Sequence, residues 1–259
     1  MRILLTNDDG IMSPGIQMLM AALREAGHRV YTVAPGSDRS GISHSISFIN
    51  NPCKLVEIDK DTWVCDGTPV DCIIVGLLGG IPELCILNNP DNLTEHQAPD
   101  LIISGINRGA NLGTDIVYSG TASAARQGAL CNIPSIAFSL QDGPVWNWEM
   151  AVIYINENLD EMISYWKPDT FINVNIPNYR EFPLGLVHAF PSLRYYNDRI
   201  ETYQAPDGNR YCFAKAGVIG AKPDEGSDWK TVTDKYASIS EVYIHPVLLE
   251  SVRGRGEAL

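Results

Sequence analysis

Positive charge is scarce in this chain of 259 residues: 19 Lys and Arg stand against 31 Asp and Glu, a formal net charge of −12. The field around such a molecule repels polyanions, which argues against a nucleic-acid polymer or an anionic membrane as a partner. A small phosphorylated ligand is still admissible, but it needs local positive charge from a metal ion, an arginine or a helix N-terminus. Long hydrophobic runs are also missing, and the most apolar internal stretch, Cys72 to Ile81, is too short to span a bilayer. The N-terminus carries no basic segment followed by an apolar one, so no secretory signal and a cytoplasmic protein are expected. None of the six cysteines stands in a C-x-x-C pair, and the five histidines are scattered without an H-E-x-x-H spacing. By motif this excludes the usual zinc sites, and the cysteines read as reduced, packed thiols. There is no internal repeat or low-complexity tract, and 45% hydrophobic residues is ordinary for a globular protein.

What is present begins at Ile3-Leu4-Leu5-Thr6-Asn7-Asp8-Asp9-Gly10, an apolar strand that runs into two adjacent carboxylates and a glycine. Open α/β proteins place ligands beyond the carboxyl ends of such strands. Two neighbouring carboxylates repel, and a hard divalent cation relieves the repulsion. The plainer alternative is a simple turn, since Asn, Asp and Gly are common turn formers. Ile16, Leu19, Met20 and Leu23 then recur at helical spacing up to Gly27, and Arg29 to Ala34 reads as a second strand closed by Pro35. This β-loop-α-β beginning predicts a parallel sheet.

Further along, Lys54 to Ile58 and Thr62 to Cys65 read as short strands. Thr68 and Pro69 open a helix as N-cap and first residue, running to about Leu78. Leu101 to Ser104 is another apolar strand, emptying into the glycine-punctuated loop Gly105 to Gly113. Ser119-Gly120-Thr121 caps an Ala-rich helix reaching about Leu130, Ser135 to Leu140 is a strand, Glu149 to Trp166 a helix, and Phe171 to Val174 a strand before Pro177. Beyond Pro177 the alternation fails. Shorter β segments follow at Leu186 to Ala189, Ile200 to Gln204 and Tyr211 to Lys215, the last two joined by the turn Ala205-Pro206-Asp207-Gly208-Asn209. The expected organisation is an α/β core over residues 1–180 with a mostly parallel sheet, and a β-rich C-terminal extension over 181–259. The tail Arg253-Gly254-Arg255-Gly256 is expected to fray.

Three polar strand ends should converge on one sheet edge, bringing Asp8 and Asp9, Ser40, and Asn107 with Asn111. These are oxygen ligands, suited to magnesium or manganese rather than zinc or copper. The helix opening at Gly120 and Thr121 offers free N–H groups and the positive end of a helix dipole to an anion such as phosphate. Ordinary capping by Ser119 and Thr121 is the competing reading. His44, in the second loop, is expected to face solvent. Arg39, Arg108 and Arg126 are candidates to offset phosphate charge, although lone arginines are commonly solvated. Trp146, Trp148 and Trp229 are candidates to stack a base, against the more frequent role of aromatics in the core. A cation beside bound phosphate suits phosphomonoester hydrolysis, with Asp8 and Asp9 as catalytic candidates. Because the carboxylates are adjacent, not spaced as D-x-D, attack by water is expected in place of an aspartyl-phosphate. A nucleotide-binding module without chemistry is the alternative, and an interaction subunit with merely polar loops is a third.

The chain also resembles a known family, the SurE survival proteins. The resemblance rests on Ile3 to Gly10; Ala34-Pro35 through Arg39-Ser40-Gly41; Ser43 to Ser47; Gly67-Thr68-Pro69-Val70-Asp71-Cys72; Ser104-Gly105-Ile106-Asn107 through Gly109; Asn111-Leu112-Gly113; Tyr118 to Ala122; and Asn173 to Pro177. It is weaker over Ser227 to Ile239 and departs at Ile244-His245-Pro246. The resemblance implies a 5'-nucleotidase acting on nucleoside 5'-monophosphates. It implies a Rossmann-like, three-layer core and one divalent Mg2+ or Mn2+ per subunit on Asp8, Asp9, Ser40 and Asn107; substrate contacts are expected from Ser104, Gly105, Asn111, Ser119, Gly120 and Thr121. It further implies a homodimer or homotetramer built through the C-terminal arm. Base preference, the physiological metal and the choice between dimer and tetramer are not legible.

Overall fold

The computed structural model describes residues 1–49, 51–87, 98–222 and 224–246. The tail at Arg253 to Gly256, expected to fray, lies outside the described residues. In chain order the elements are β1 (Arg2–Thr6), α1 (Pro14–Glu25), β2 (Arg29–Pro35), β3 (Leu55–Asp59), β4 (Thr62–Cys65), α2 (Pro69–Val75), β5 (Leu101–Arg108), α3 (Gly120–Leu130), β6 (Ser135–Leu140), α4 (Trp148–Ser164) and β7 (Thr170–Ile176). The C-terminal part adds β8 (Leu186–His188), β9 (Arg194–Tyr196), β10 (Arg199–Gln204), β11 (Arg210–Lys215), β12 (Ile219–Ala221), α5 (Asp228–Thr233) and β13 (Ala237–Tyr243).

Nine of these strands form one sheet, in the order β3-β4-β2-β1-β5-β6-β7-β13-β8. The strands from β4 to β7 run parallel, while β3 is antiparallel to β4 and β13 is antiparallel to β7. Successive side chains of a strand point to opposite faces, so an apolar run covered on both sides feeds two cores. Ile3 and Leu5 pack with Ile16, Leu19 and Leu23 of α1 and with Ile155 and Leu159 of α4. Leu4 turns the other way, towards Cys72 and Ile73 of α2 and Ala124 of α3. Ile103 and Ile102 of β5 divide in the same manner. The result is the expected three-layer α/β architecture.

The order of the sheet positions the site. From β1 the chain builds outward through β2 and β4, then returns to place β5 on the other flank of β1. The crevice beyond the carboxyl ends of β1 and β5 is therefore the switch point of the fold, where open α/β sheets bind ligands. Beyond Pro177, β8 and β13 extend this same sheet, whereas β10 pairs only with β11 and β12 only with β9. The β10–β11 hairpin is exposed along its whole length.

Candidate active site

Asp8 leaves the end of β1 directly against the N-terminus of α3. Its Oδ2 accepts the Thr121 backbone N–H at 3.1 Å, and its Oδ1 accepts the Thr121 hydroxyl. A Cβ at Gly120 would stand 2.9 Å from the Asp8 side chain, so only glycine there lets the helix approach this closely. The close backbone approach anticipated at Gly120 is thus made to a carboxylate of the protein itself. Ser119 is the N-cap of α3, its hydroxyl accepting the Ala122 N–H at 3.0 Å. The positive end of the helix faces Asp8, which favours its ionised form. Burial works in the opposite direction and prevails, raising the Asp8 pKa above the ordinary carboxylate value.

Asp9 is half-buried, and its Oδ2 accepts the Arg108 backbone N–H at 2.9 Å. Desolvation, reinforced by the charges of Asp8 and Asp38, pushes its pKa to about 6. Among the described residues, no Lys, Arg or His side chain forms an ion pair with Asp8, Asp9 or Asp38. Carboxylates placed in this way have the charge to take up a cation.

The second strand end is tied in through the backbone, Arg39 N–H donating to the Asp8 carbonyl at 2.7 Å. Ser40 is exposed, and its hydroxyl donates to Asp38 Oδ1 at 2.6 Å, leaving oxygen lone pairs uncommitted. At the third strand end the Asn107 amide donates to the Gly109 carbonyl at 2.7 Å, so its amide oxygen is the free atom. Asp8, Ser40 and Asn107 line one cleft of about 470 Å³, together with Asn111 and Ser119. The residues fit a hard cation: every donor atom offered is oxygen, and among the described residues no ion pair neutralises the two carboxylates.

Asp9, Ser104, Gly105, Gly120 and Thr121 do not line this cleft, and Asp9 is tied to it through the backbone of Arg108, which does. Ser104 and Gly105 are buried inside β5, where its register against β6 shifts between Ser104 and Asn107. Asn111 is at the cleft because β7 holds it there. Its N–H donates to Asn175 Oδ1 at 2.7 Å, and its carbonyl accepts the amides of Asn173 at 2.9 Å and Asn175 at 3.1 Å. These two buried asparagines, noted in the sequence only as part of a family block, are the positioning residues of the loop.

His44 differs from expectation. It is half-buried, with Nε2 3.1 Å from Gln127 Oε1 on α3, and burial lowers its pKa. The loop carrying it folds back onto the helix because Ser43 also bonds the Val117 and Tyr118 carbonyls. Of the arginines, Arg108 lines the cleft with its guanidinium over the Trp146 ring, Arg126 lies over Phe171, and Arg39 donates to the Asp66 carbonyl. Trp229 lines the cleft; Trp146 and Trp148 stack on each other beside the α1/α4 core.

The far wall was not anticipated. Arg194 and Tyr196 of β9 reach the cleft from beyond Pro177, Arg194 pairing with Asp115 at 3.2 Å and the Tyr196 hydroxyl donating to the same carboxylate. Tyr118 meets Tyr196 edge to face with ring centres 6.0 Å apart. No spacing rule links residues this distant in the chain, so nothing in the sequence singled them out.

Comparison with known proteins agrees with this geometry. A family model described as "Survival protein SurE" matches residues 3–189. The 5'-nucleotidase SurE of Aquifex aeolicus is 38% identical over 247 residues, covering 93% of this chain and 91% of that protein. That of Petrotoga mobilis is 39% identical over 253 residues, covering 94% and 93%. The crystal structure of the SurE protein from Aquifex aeolicus superposes with a TM-score of 0.79 at 34% identity, covering 99% of this chain and 100% of that one. A family match over residues 3–189, near-complete alignment with these relatives and the same fold end to end establish that this chain belongs to the SurE family.

Proposed function

We propose that this protein is a divalent-metal-dependent phosphomonoesterase that hydrolyses nucleoside 5'-monophosphates to nucleoside and phosphate. The observation that carries the proposal is the convergence of Asp8, Ser40 and Asn107 on one cleft, with Asp9 next to Asp8 in the chain and, among the described residues, no ion pair on either carboxylate. The relatives named 5'-nucleotidase support the substrate class. A cleft of about 470 Å³ has room for a mononucleotide, and the aromatic edges of Tyr118 and Tyr196 offer an apolar wall for a base.

Asp8, Asp9, Ser40 and Asn107 would hold one Mg2+ or Mn2+. When bound, the ion would polarise the phosphoryl group and offset its charge. Both oxygens of Asp8 are already held by Thr121, which fixes the carboxylate and makes it a poor nucleophile. Asp9 keeps one oxygen unengaged, placing it to orient water and accept its proton. The water oxygen bonds to phosphorus, the P–O bond to the nucleoside breaks, and the leaving oxygen takes up a proton. Ser119 at the α3 N-terminus and Asn111 line the place where phosphate would sit. The exposed β10–β11 hairpin, with Ile200, Tyr203, Tyr211 and Phe213, is the arm that would join a second copy into a dimer or tetramer.

Phosphate release from a panel of nucleoside monophosphates, measured in chelator and then with added Mg2+ or Mn2+, tests this reading. Activity should require the cation, and Asp9→Asn should abolish it while the circular dichroism spectrum and melting are retained. A folded Asp9→Asn protein as active as wild type would refute the proposal. Metal-dependent nucleotide binding without phosphate release would favour a sensing module instead.

A further inference from the structure

A second cluster of ligand-type side chains lies away from the oxygen-lined cleft. Cys53, leading into β3, Cys65 at the end of β4, and Asp66 after it bring two sulfurs and a carboxylate oxygen within 4.8 Å of one another. It is the one such group of His, Cys, Asp and Glu among the described residues. The hairpin register explains it: Leu55 stands opposite Cys65, so Cys53 lies two positions along on the same face and diagonal to Cys65. Motif reading missed the group because the two cysteines are twelve residues apart, outside any C-x-x-C spacing.

Cys65 is fully buried and accepts the Gly67 N–H at 3.4 Å, and the wholly buried Cys72 packs in the same apolar cluster. The backbone N–H favours the Cys65 sulfur in its ligating, deprotonated form, whereas burial pushes the Cys53 thiol up to about 11, so a metal bound there must displace its proton. Asp66 is held from behind, its Oδ1 accepting the Lys54 N–H at 2.7 Å, which leaves its second oxygen for a ligand. Asp66 is exposed and Cys53 half-buried, so an ion can reach the site from solvent. Four-coordinate zinc needs sulfurs about 3.8 Å apart, given bonds of about 2.3 Å in a tetrahedron, and the three ligand atoms here lie within 4.8 Å of one another.

We propose that Cys53, Cys65 and Asp66 form a second metal site, distinct from the oxygen cluster, that takes a borderline-soft divalent cation such as Zn2+ with its fourth position open to solvent. Thiolates discriminate against magnesium, so the two sites select different ions. The site is joined to the cleft mechanically: the Asp66 carbonyl holds Arg39, the neighbour of Ser40.

Cadmium is the probe, because its bonds to thiolate give an ultraviolet charge-transfer band that oxygen ligands do not. The full chain with Cys85, Cys131 and Cys212 replaced by Ser should bind one Cd2+ with that band and be competed by Zn2+, not by Mg2+. Adding Cys53→Ser should weaken binding by more than about tenfold and reduce the band. Cys53 is only half-buried, and the melting curve verifies that this variant folds. Asp66→Asn should weaken binding while the band persists. Absence of a band in the parent, or a band and affinity unchanged by Cys53→Ser, would overturn the site; unchanged affinity in Asp66→Asn would remove the carboxylate from it.

Discussion

At the scale of single residues, the acidic pair carries a cost of its own placement. Asp8 and Asp9 are drawn out of water beside Asp38, and the Asp9 pKa rises to about 6 from 3.8. A carboxyl whose folded pKa lies above its unfolded value binds more protons in the native state between the two, so stability falls as pH rises from about 4 through about 6. With the partly wet side of Asp9 screened by solvent, the loss should be roughly 1–2 kcal/mol. Urea unfolding in chelator across that range should show this slope in wild type and a flatter one in Asp9→Asn. Equal slopes would mean Asp9 is not the group responsible. A bound divalent cation removes the penalty, so added Mn2+ should raise stability most above pH 6.

At the scale of elements, the helix termini were the most readable feature and also the one whose use was hardest to foresee. Thr68 forms a capping box with Asp71 at the start of α2, as the local pattern indicates, because a cap is satisfied within four residues. The α3 N-terminus looks the same in sequence, yet its first-turn donors at Thr121 go to Asp8, 113 positions away. Gly120→Ala separates the two roles. Alanine in a helix ordinarily adds up to about 1 kcal/mol of stability over glycine, but here the new Cβ would press on the Asp8 side chain. The expected result is a folded protein whose phosphate release falls on the order of tenfold to a hundredfold through a displaced carboxylate. Undiminished kcat would show that Asp8 tolerates the shift.

At the scale of the molecule, the C-terminal part is built into the core rather than appended to it. The β13 strand lies antiparallel against β7, and Asp228 at the start of α5 accepts N–H groups from Gly113 at 2.7 Å, Ser192 at 2.9 Å and Trp229 at 2.7 Å. Gly113 is required there, since a Cβ would fall 1.7 Å from the Ser192 carbonyl oxygen. Asp228 thereby holds the loop after Asn111 against the segment that supplies Arg194 and Tyr196. Asp228→Ala strands two buried donors and a part-buried one and should cost about 2–4 kcal/mol. Thermal melting and faster proteolysis after Pro177 are the measurements, and an unchanged melting temperature would refute the coupling.

The amino-acid sequence by itself determined the parallel core and the strand ends that carry Asp8, Asp9, Ser40 and Asn107, because apolar runs, caps and turn residues act within a few positions of one another. Only the tertiary structure decided which partners those residues meet. Asn173 and Asn175 grip Asn111 across 62 and 64 positions, Asp228 reaches Gly113 across 115, and Cys53 meets Cys65 through a hairpin register. Such contacts depend on sheet order and on which face each strand presents, and local periodicity carries neither.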